Sequence, residues 1–363
     1  MRSSVGVAAS LATACVVLVS ARASAARAYG AAGPKAVGTK SLDASAQIVA
    51  PTTGGPYPLV VASHGWSASG DNQLGWAKHF ASWGLVVAVP TFPSPLAPDT
   101  ATNAGIIEDL VSRLEGPLAS AHGVAPGAFG LEGHSAGGLA TTAAAMKLAP
   151  AATVLFDPVD SGAVGKVAYA KLCAPVLAIF AGPGSCNNNG EWRGFATSAA
   201  GDLLAFDVKG STHCDGENAA RLLCGSFCGG AADATRQAVY AHYATAFLLA
   251  RLAHDTSAEA ALVDATVDAD ADLAAVRHGV STCAKPGQDA GASDGGSTSS
   301  SSGGGADPSP SSSAEPAAGP AAPAPASEGG CSVQASGAPA SSLASAALGL
   351  ALGALLVRGR KRS

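Results

Sequence analysis

Charge is scarce in this chain: 13% of its 363 residues are Asp, Glu, Lys or Arg, and the formal net charge is −5. The clearest basic clusters lie at the two termini, so no basic face in the middle region points to nucleic acid or to an anionic membrane surface. A second absence argues against structural zinc, because "CGSFC" at 224–228 has no matching second pair. A third concerns residues 286–330, which contain no aromatic, Leu, Ile or Val and so have nothing to offset the entropy of ordering. That stretch reads as a flexible Gly/Ser/Pro/Ala linker and holds 10 of the chain's 45 Gly and 7 of its 22 Pro. What remains is apolar enough, in a chain that is 48% hydrophobic overall, to bury a full-sized core.

The two ends read as addresses. Arg2, the apolar run "VGVAASLATACVVLVS" and the small residues of "ARASAARA" form an export signal, with cleavage sites after Ala23 or Ala25. Cys15 falls within the apolar run and reads as part of the signal core. Beyond the linker, 331–363 begins with Cys331, continues into an apolar stretch from Leu343 to Val357, and ends with four basic residues in the last six. This arrangement reads as a membrane anchor or sorting segment. It resembles the myxobacterial C-terminal sorting tag, which implies surface anchoring with processing at Cys331. The domain plan is therefore 1–25 signal, 26–285 main domain, 286–330 linker and 331–363 membrane anchor or sorting segment. Setting Cys15 and Cys331 aside leaves Cys173, Cys186, Cys214, Cys224, Cys228 and Cys283, an even set suited to disulfides in an exported chain. Six cysteines allow fifteen pairings. The bridge expected here joins Cys186 to Cys214, tying two neighbouring loops together.

Between signal and linker, short apolar runs alternate with helical ones. Residues 57–64, 84–91, 128–134, 152–158, 174–182 and 203–210 are nearly continuous in hydrophobics, as strands covered on both faces are. Helical patterns run from Asn72 to Ser82, Asn103 to Leu114, Ala136 to Leu148 and Ala232 to Ala253. This alternation predicts one α/β domain with a doubly wound, mostly parallel sheet and helices on both faces. "DADAD" at 268–272 lacks the glycine turn and final Glu of a calcium loop and reads as a solvated acidic stretch.

"FGLEGHSAGGLA" at 129–140 places Ser135 in Gly-x-Ser-x-Gly between a strand and a helix. There the flanking glycines leave room for a strained turn that exposes the hydroxyl, and the helix N-terminus aims free N–H groups at the same point. Ser135 is the candidate nucleophile. In this fold class the acid and then the base follow the serine in the chain. His213, directly after the last strand, is the candidate base. His242 and His254 belong to a long helical run, and His278 follows another. Asp157, at the end of the strand after the nucleophile helix, is the candidate acid, with Asp160 as its rival. The next strand end, "AIFAGPGSCNNNGEW", offers no aspartate and only Glu191, well into its loop. After the first of these strands, "ASHGWSASGDN" supplies Trp66, whose N–H can pair with that of Ala136 as an oxyanion hole.

These motifs resemble the α/β-hydrolase superfamily, and most closely its chlorophyllase-like and cutinase-like esterase branches, over roughly residues 45–253. "GHSAGG", "DPVD" and "THCD" match the chlorophyllase pattern of nucleophile, acid and His-x-Asp loop. Two departures stand out. Chlorophyllases carry a basic residue after the nucleophile where this chain has Ala136, and cutinase-like enzymes place their acid one strand later. The resemblance implies hydrolysis of a hydrophobic carboxylic ester, small or polymeric, through Ser135, Asp157 and His213 with no metal or organic cofactor. A surface-displayed binding module that keeps the fold without turnover is the reading from another class.

Overall fold

The computed structural model describes residues 27–160 and 162–283. The export signal, the linker and the C-terminal segment lie outside the described residues. Nine strands form one sheet: β1 Val37–Ser41, β2 Ala46–Pro51, β3 Tyr57–Ser63, β4 Val86–Pro90, β5 Val124–His134, β6 Ala152–Phe156, β7 Val176–Phe180, β8 Leu203–Val208 and β9 Leu273–Gly279. Their order is β1-β2-β4-β3-β5-β6-β7-β8-β9. The six central strands run parallel, while β1 and β2 at one edge and β9 at the other add antiparallel pairs. This is an α/β-hydrolase fold.

Alternate residues of each central strand enter opposite cores. Val60 and Ala62 of β3 pack with Trp76 and Phe80 of α1 (Leu74–Ser82) and Tyr240 and Phe247 of α5 (Ala234–Leu252). Leu59 and Val61 face the other way, onto Ile107 and Leu110 of α2 (Thr100–Glu115), Leu139 and Ala140 of α3 (Ala136–Leu148), and Tyr169 of α4 (Val164–Tyr169). Both faces are buried, so these strands are mostly apolar, with Glu132, His134, Thr153 and Asp207 among the exceptions.

Helix ends follow local capping chemistry. Asp99 accepts from the Thr102 N–H and starts α2 earlier than its apolar periodicity suggests. Asp233 accepts from the N–H groups of Thr235 and Arg236 and starts α5. Residues Gly70–Gln73 form a separate 3₁₀ turn ahead of α1, behind a capping box at Ser69.

Three strands escape the sequence pattern, and all are peripheral. "VGTKS" of β1 and "LAAVRHG" of β9 are edge strands with largely solvated faces, where continuous apolarity is not required. His278 accordingly lies within β9, held between Asp264 and Asp268 at the surface, instead of simply following a helix. The acidic stretch is exposed as expected except at Asp270. Asp270 accepts from Arg27 at 2.6 Å and from the Tyr243 hydroxyl at 2.8 Å, and so ties the start of the domain to α5.

One buried group carries a testable cost. Glu132 of β5 is fully buried, and neither carboxylate oxygen has a hydrogen-bond partner among the described residues. Two residues earlier, Gly130 faces Leu248 and Leu252 of α5, so by alternation Glu132 points into the same apolar layer. Burial pushes its carboxyl well above the usual carboxylate range. Because the folded value lies above the unfolded one, the protonated form fits the fold and stability falls as pH rises from the unfolded value towards the folded one. Glu132→Met should therefore flatten this decline and add about 1–3 kcal/mol at pH 8. Urea melts of both proteins at pH 5 and pH 8 test this, and an unchanged pH slope in the variant would refute it.

Candidate active site

β5 ends at His134, and Ser135 follows with φ +57° and ψ −125° before α3 begins at Ala136. A side chain at Gly137 would run into the carbonyls of Ser63 and His64, and one at Gly133 into Thr141 and the Gly137 carbonyl. The turn closes this tightly only because both positions lack Cβ. The strained backbone lifts the Ser135 hydroxyl off the sheet at the carboxyl ends of the parallel strands.

Three residues far apart in sequence meet there. The Ser135 hydroxyl donates to His213 Nε2 at 2.9 Å, and His213 Nδ1–H donates to Asp157 Oδ2 at 2.6 Å. All three are buried. Asp157 follows β6 with φ +40°, and its Oδ1 accepts from the Ala181 N–H at 3.1 Å. Asp160 has no hydrogen bond to His213. Its carboxylate accepts from the N–H groups of Gly162 and Lys166, which fixes the chain leading into α4.

The His213 loop is held from below. Asp215, with no exposed surface, accepts from Ser211 Oγ, the Thr212 and Asp233 N–H groups and the Arg236 guanidinium of α5. Trp76 Nε1–H donates to the Gly216 carbonyl at 2.9 Å. His134 donates from Nε2 to the His213 carbonyl at 3.0 Å, with the two rings 4.6 Å apart. Burial, reinforced by the neighbouring His213, pushes His134 well below the ordinary imidazole range, so it stays a neutral donor.

Trp66 and Ala136 both border the cavity over Ser135. Neither backbone N–H is used by a hydrogen bond among the described residues. The Trp66 indole is half exposed at the mouth and donates to the Leu96 carbonyl at 2.9 Å, instead of packing beneath the loop. His64 braces this loop by donating from Nδ1 to the Gly65 carbonyl and accepting the Phe92 N–H at Nε2. Arg221 donates to the Trp66 carbonyl at 3.0 Å while paired with the buried Glu217. Sequence reasoning missed His64, Arg221 and Glu217. The His-Gly pair at 64–65 was the available signal for the first; the other two form a local i,i+4 acid–base pair, but nothing local ties that pair to the site.

The cavity has a volume of about 790 Å³ and is walled by Trp66, Pro98, Val159, Leu222, Leu223 and Phe227, with Arg221 at its edge. Among the described residues there are three disulfides: Cys173–Cys283, Cys186–Cys228 and Cys214–Cys224. The expected Cys186–Cys214 bridge is therefore corrected. Residues 217–230 form a flap that lines the cavity, with Cys224 bridged to Cys214 and Cys228 to Cys186. The flap carries Leu222, Leu223 and Phe227, all exposed. The sulfurs of Cys214, Cys224 and Cys228 cluster within 4.8 Å, but each is committed to a disulfide.

Residues 34–181 match the Chlorophyllase family. The match runs from the start of the sheet through β7, taking in Ser135 and Asp157 and ending before His213. No curated protein matches the chain. Together with the sheet, the family match supports a chlorophyllase-like α/β-hydrolase.

Proposed function

We propose that the chain is a serine carboxylic-ester hydrolase working through an acyl-enzyme intermediate. The observation that carries this reading is the hydrogen-bonded relay of Ser135, His213 and Asp157, at 2.9 and 2.6 Å, opening into a largely apolar cavity. His213 takes the Ser135 proton as Oγ attacks the ester carbonyl, and Asp157 holds the imidazole and stabilises its cation. The oxyanion develops against the N–H groups of Trp66 and Ala136. The protonated His213 then passes its proton to the leaving alcohol, and water repeats the sequence to free the acid. Apolar walls favour a hydrophobic acyl or alcohol group. Ala136 leaves the cavity without the basic residue found beside the nucleophile in chlorophyllases, so the proposed substrate is a hydrophobic ester, chlorophyllase-like or lipase/cutinase-like, with the pigment ester as one candidate.

The three disulfides accord with an exported protein. Among the described residues no helix is long and apolar enough to cross a membrane. Retention at the cell envelope is proposed from the apolar, basic C-terminal segment, which lies outside the described residues. One experiment tests activity and location together. The intact protein should fractionate with envelope membranes, and the chain ended at Lys285 should be soluble. In both forms a fluorophosphonate probe should label Ser135, as located by mass spectrometry. An unlabelled, folded protein would favour the binding module, and a membrane-bound truncation would remove the anchor.

A further inference from the structure

The loop after β7 contributes a residue that the relay of Ser135, His213 and Asp157 does not itself include. Asn187 is 2% exposed, and its amide uses all of its hydrogen-bonding capacity. Nδ2 donates to Asp157 Oδ2 and to the Gly182 carbonyl, both at 2.9 Å. Oδ1 accepts from the N–H groups of Gly184 and Gly190 at 2.8 and 3.0 Å. A flipped amide would set its NH₂ against two N–H groups and its oxygen against a carboxylate and a carbonyl, so the network fixes which atom is which. The preceding Cys186 is bridged to Cys228, which ties this loop to the flap over the cavity.

We propose that Asn187 is a positioning residue for the acid, a role that rests on the esterase reading above. Asp157 Oδ2 lies between two donors, His213 Nδ1 and Asn187 Nδ2, while Oδ1 has the Ala181 N–H. With Asn187 in place the carboxylate cannot turn away from the imidazole without abandoning a buried donor. A neutral amide also supports the ionised carboxylate without competing for the proton that His213 receives from Ser135. The ionisable groups facing this point are Asp157 from the end of β6, His213 from its loop with His134 behind it, and Tyr240 of α5, whose hydroxyl contacts Ser211 and lies near enough to Asp157 to feel its charge. On the loop itself, Glu191 faces Asn188.

The test uses the full chain and a soluble short-chain nitrophenyl ester. Asn187→Ala should lower kcat by about 10- to 100-fold, with KM within about twofold, because binding is untouched while the imidazole loses its fixed partner. A non-reduced digest should still show the Cys186–Cys228 bridge. Asn187→Asp keeps the shape, and the oxygen facing Gly184 and Gly190 still accepts. Its other oxygen meets Asp157 Oδ2 and must carry a proton there. Turnover in this variant should therefore fall as pH rises through a range where the wild type is flat, since loss of that proton sets two carboxylates face to face. A purely structural role would lower turnover by the same factor at every pH. If Asn187→Ala does not fold, the pH profile of Asn187→Asp decides. Wild-type kcat in both variants, or a pH-independent loss in Asn187→Asp, overturns the positioning role while leaving the esterase intact. A wild type that neither hydrolyses esters nor takes the fluorophosphonate label overturns both.

Discussion

Ser135→Ala should yield a folded protein whose ester turnover is lower by on the order of three or more decades. The hydroxyl is the only atom removed, and it sits at a turn whose geometry is set by Gly133, Gly137 and the parallel strands on either side. Its loss frees His213 Nε2 but leaves the Asp157 and Asp215 contacts that hold the His213 loop. The thermal melt should stay close to that of the wild type. The remaining rate would come from substrate binding and oxyanion stabilisation alone, with water as nucleophile. Initial rates on a soluble nitrophenyl ester, read beside the melt, decide the matter. Near-wild-type turnover in a folded variant would mean that the relay seen at 2.9 and 2.6 Å is not the one that cleaves esters.

The legibility of this site follows from the physics of its parts. A central parallel strand is covered on both faces, so β3 to β8 are visible as nearly continuous apolar runs. β1 and β9 face solvent at the edges, and β2, next to an edge, carries the polar, part-exposed Gln47, so none of them offers such a run. A sharp strand-to-helix turn needs glycines on either side of its serine, which makes Ser135 and its helix stand out. His213 and Asp157 could be singled out because chain order and strand ends restrict where a base and an acid can sit. Asn187, His64 and Glu217 serve the same centre without any such restriction. Their partners lie 30, 28 and 4 residues away, respectively Asp157, the Phe92 N–H and Arg221. An Asn in "CNNNG" looks like any loop residue until the fold sets a carboxylate beside it.

Disulfide pairing illustrates the same limit. Placing Cys186 near Cys214 amounts to placing two loops near each other, and they are indeed neighbours around Asp157 and His213. What could not be read was the flap of residues 217–230, which lines the cavity beside them and offers two cysteines of its own. With Cys224 and Cys228 on that flap, each loop is stapled to the cover of the cavity and neither to the other. The cavity's apolar wall from Leu222 to Phe227 is thereby held over Ser135.

The sharpest discrimination lies between two buried carboxylates three residues apart. Asp157→Asn should lower turnover by on the order of 10⁴, while Asp160→Asn should stay within about tenfold of the wild type. The first substitution conflicts with every donor around it. Asp157 accepts from His213 Nδ1–H, Asn187 Nδ2–H and the Ala181 N–H, and an amide has only one oxygen to offer among them. If its NH₂ turns towards His213, the imidazole must shift its proton to Nε2, and the nitrogen facing Ser135 can no longer accept the hydroxyl proton. If its oxygen turns that way, its NH₂ faces the Ala181 N–H instead, and the imidazolium formed during attack has no counter-charge. Asp160 stands in a different setting. Among the described residues its two oxygens accept from the N–H groups of Gly162 and Lys166, so an amide there loses one backbone contact near the start of α4 and disturbs nothing at His213. The cost of that change is local stability of about 1 kcal/mol, visible in the melt and not in kcat. Rates and melts of the two variants, measured side by side, separate these outcomes, and the reverse ranking would transfer the acid to Asp160.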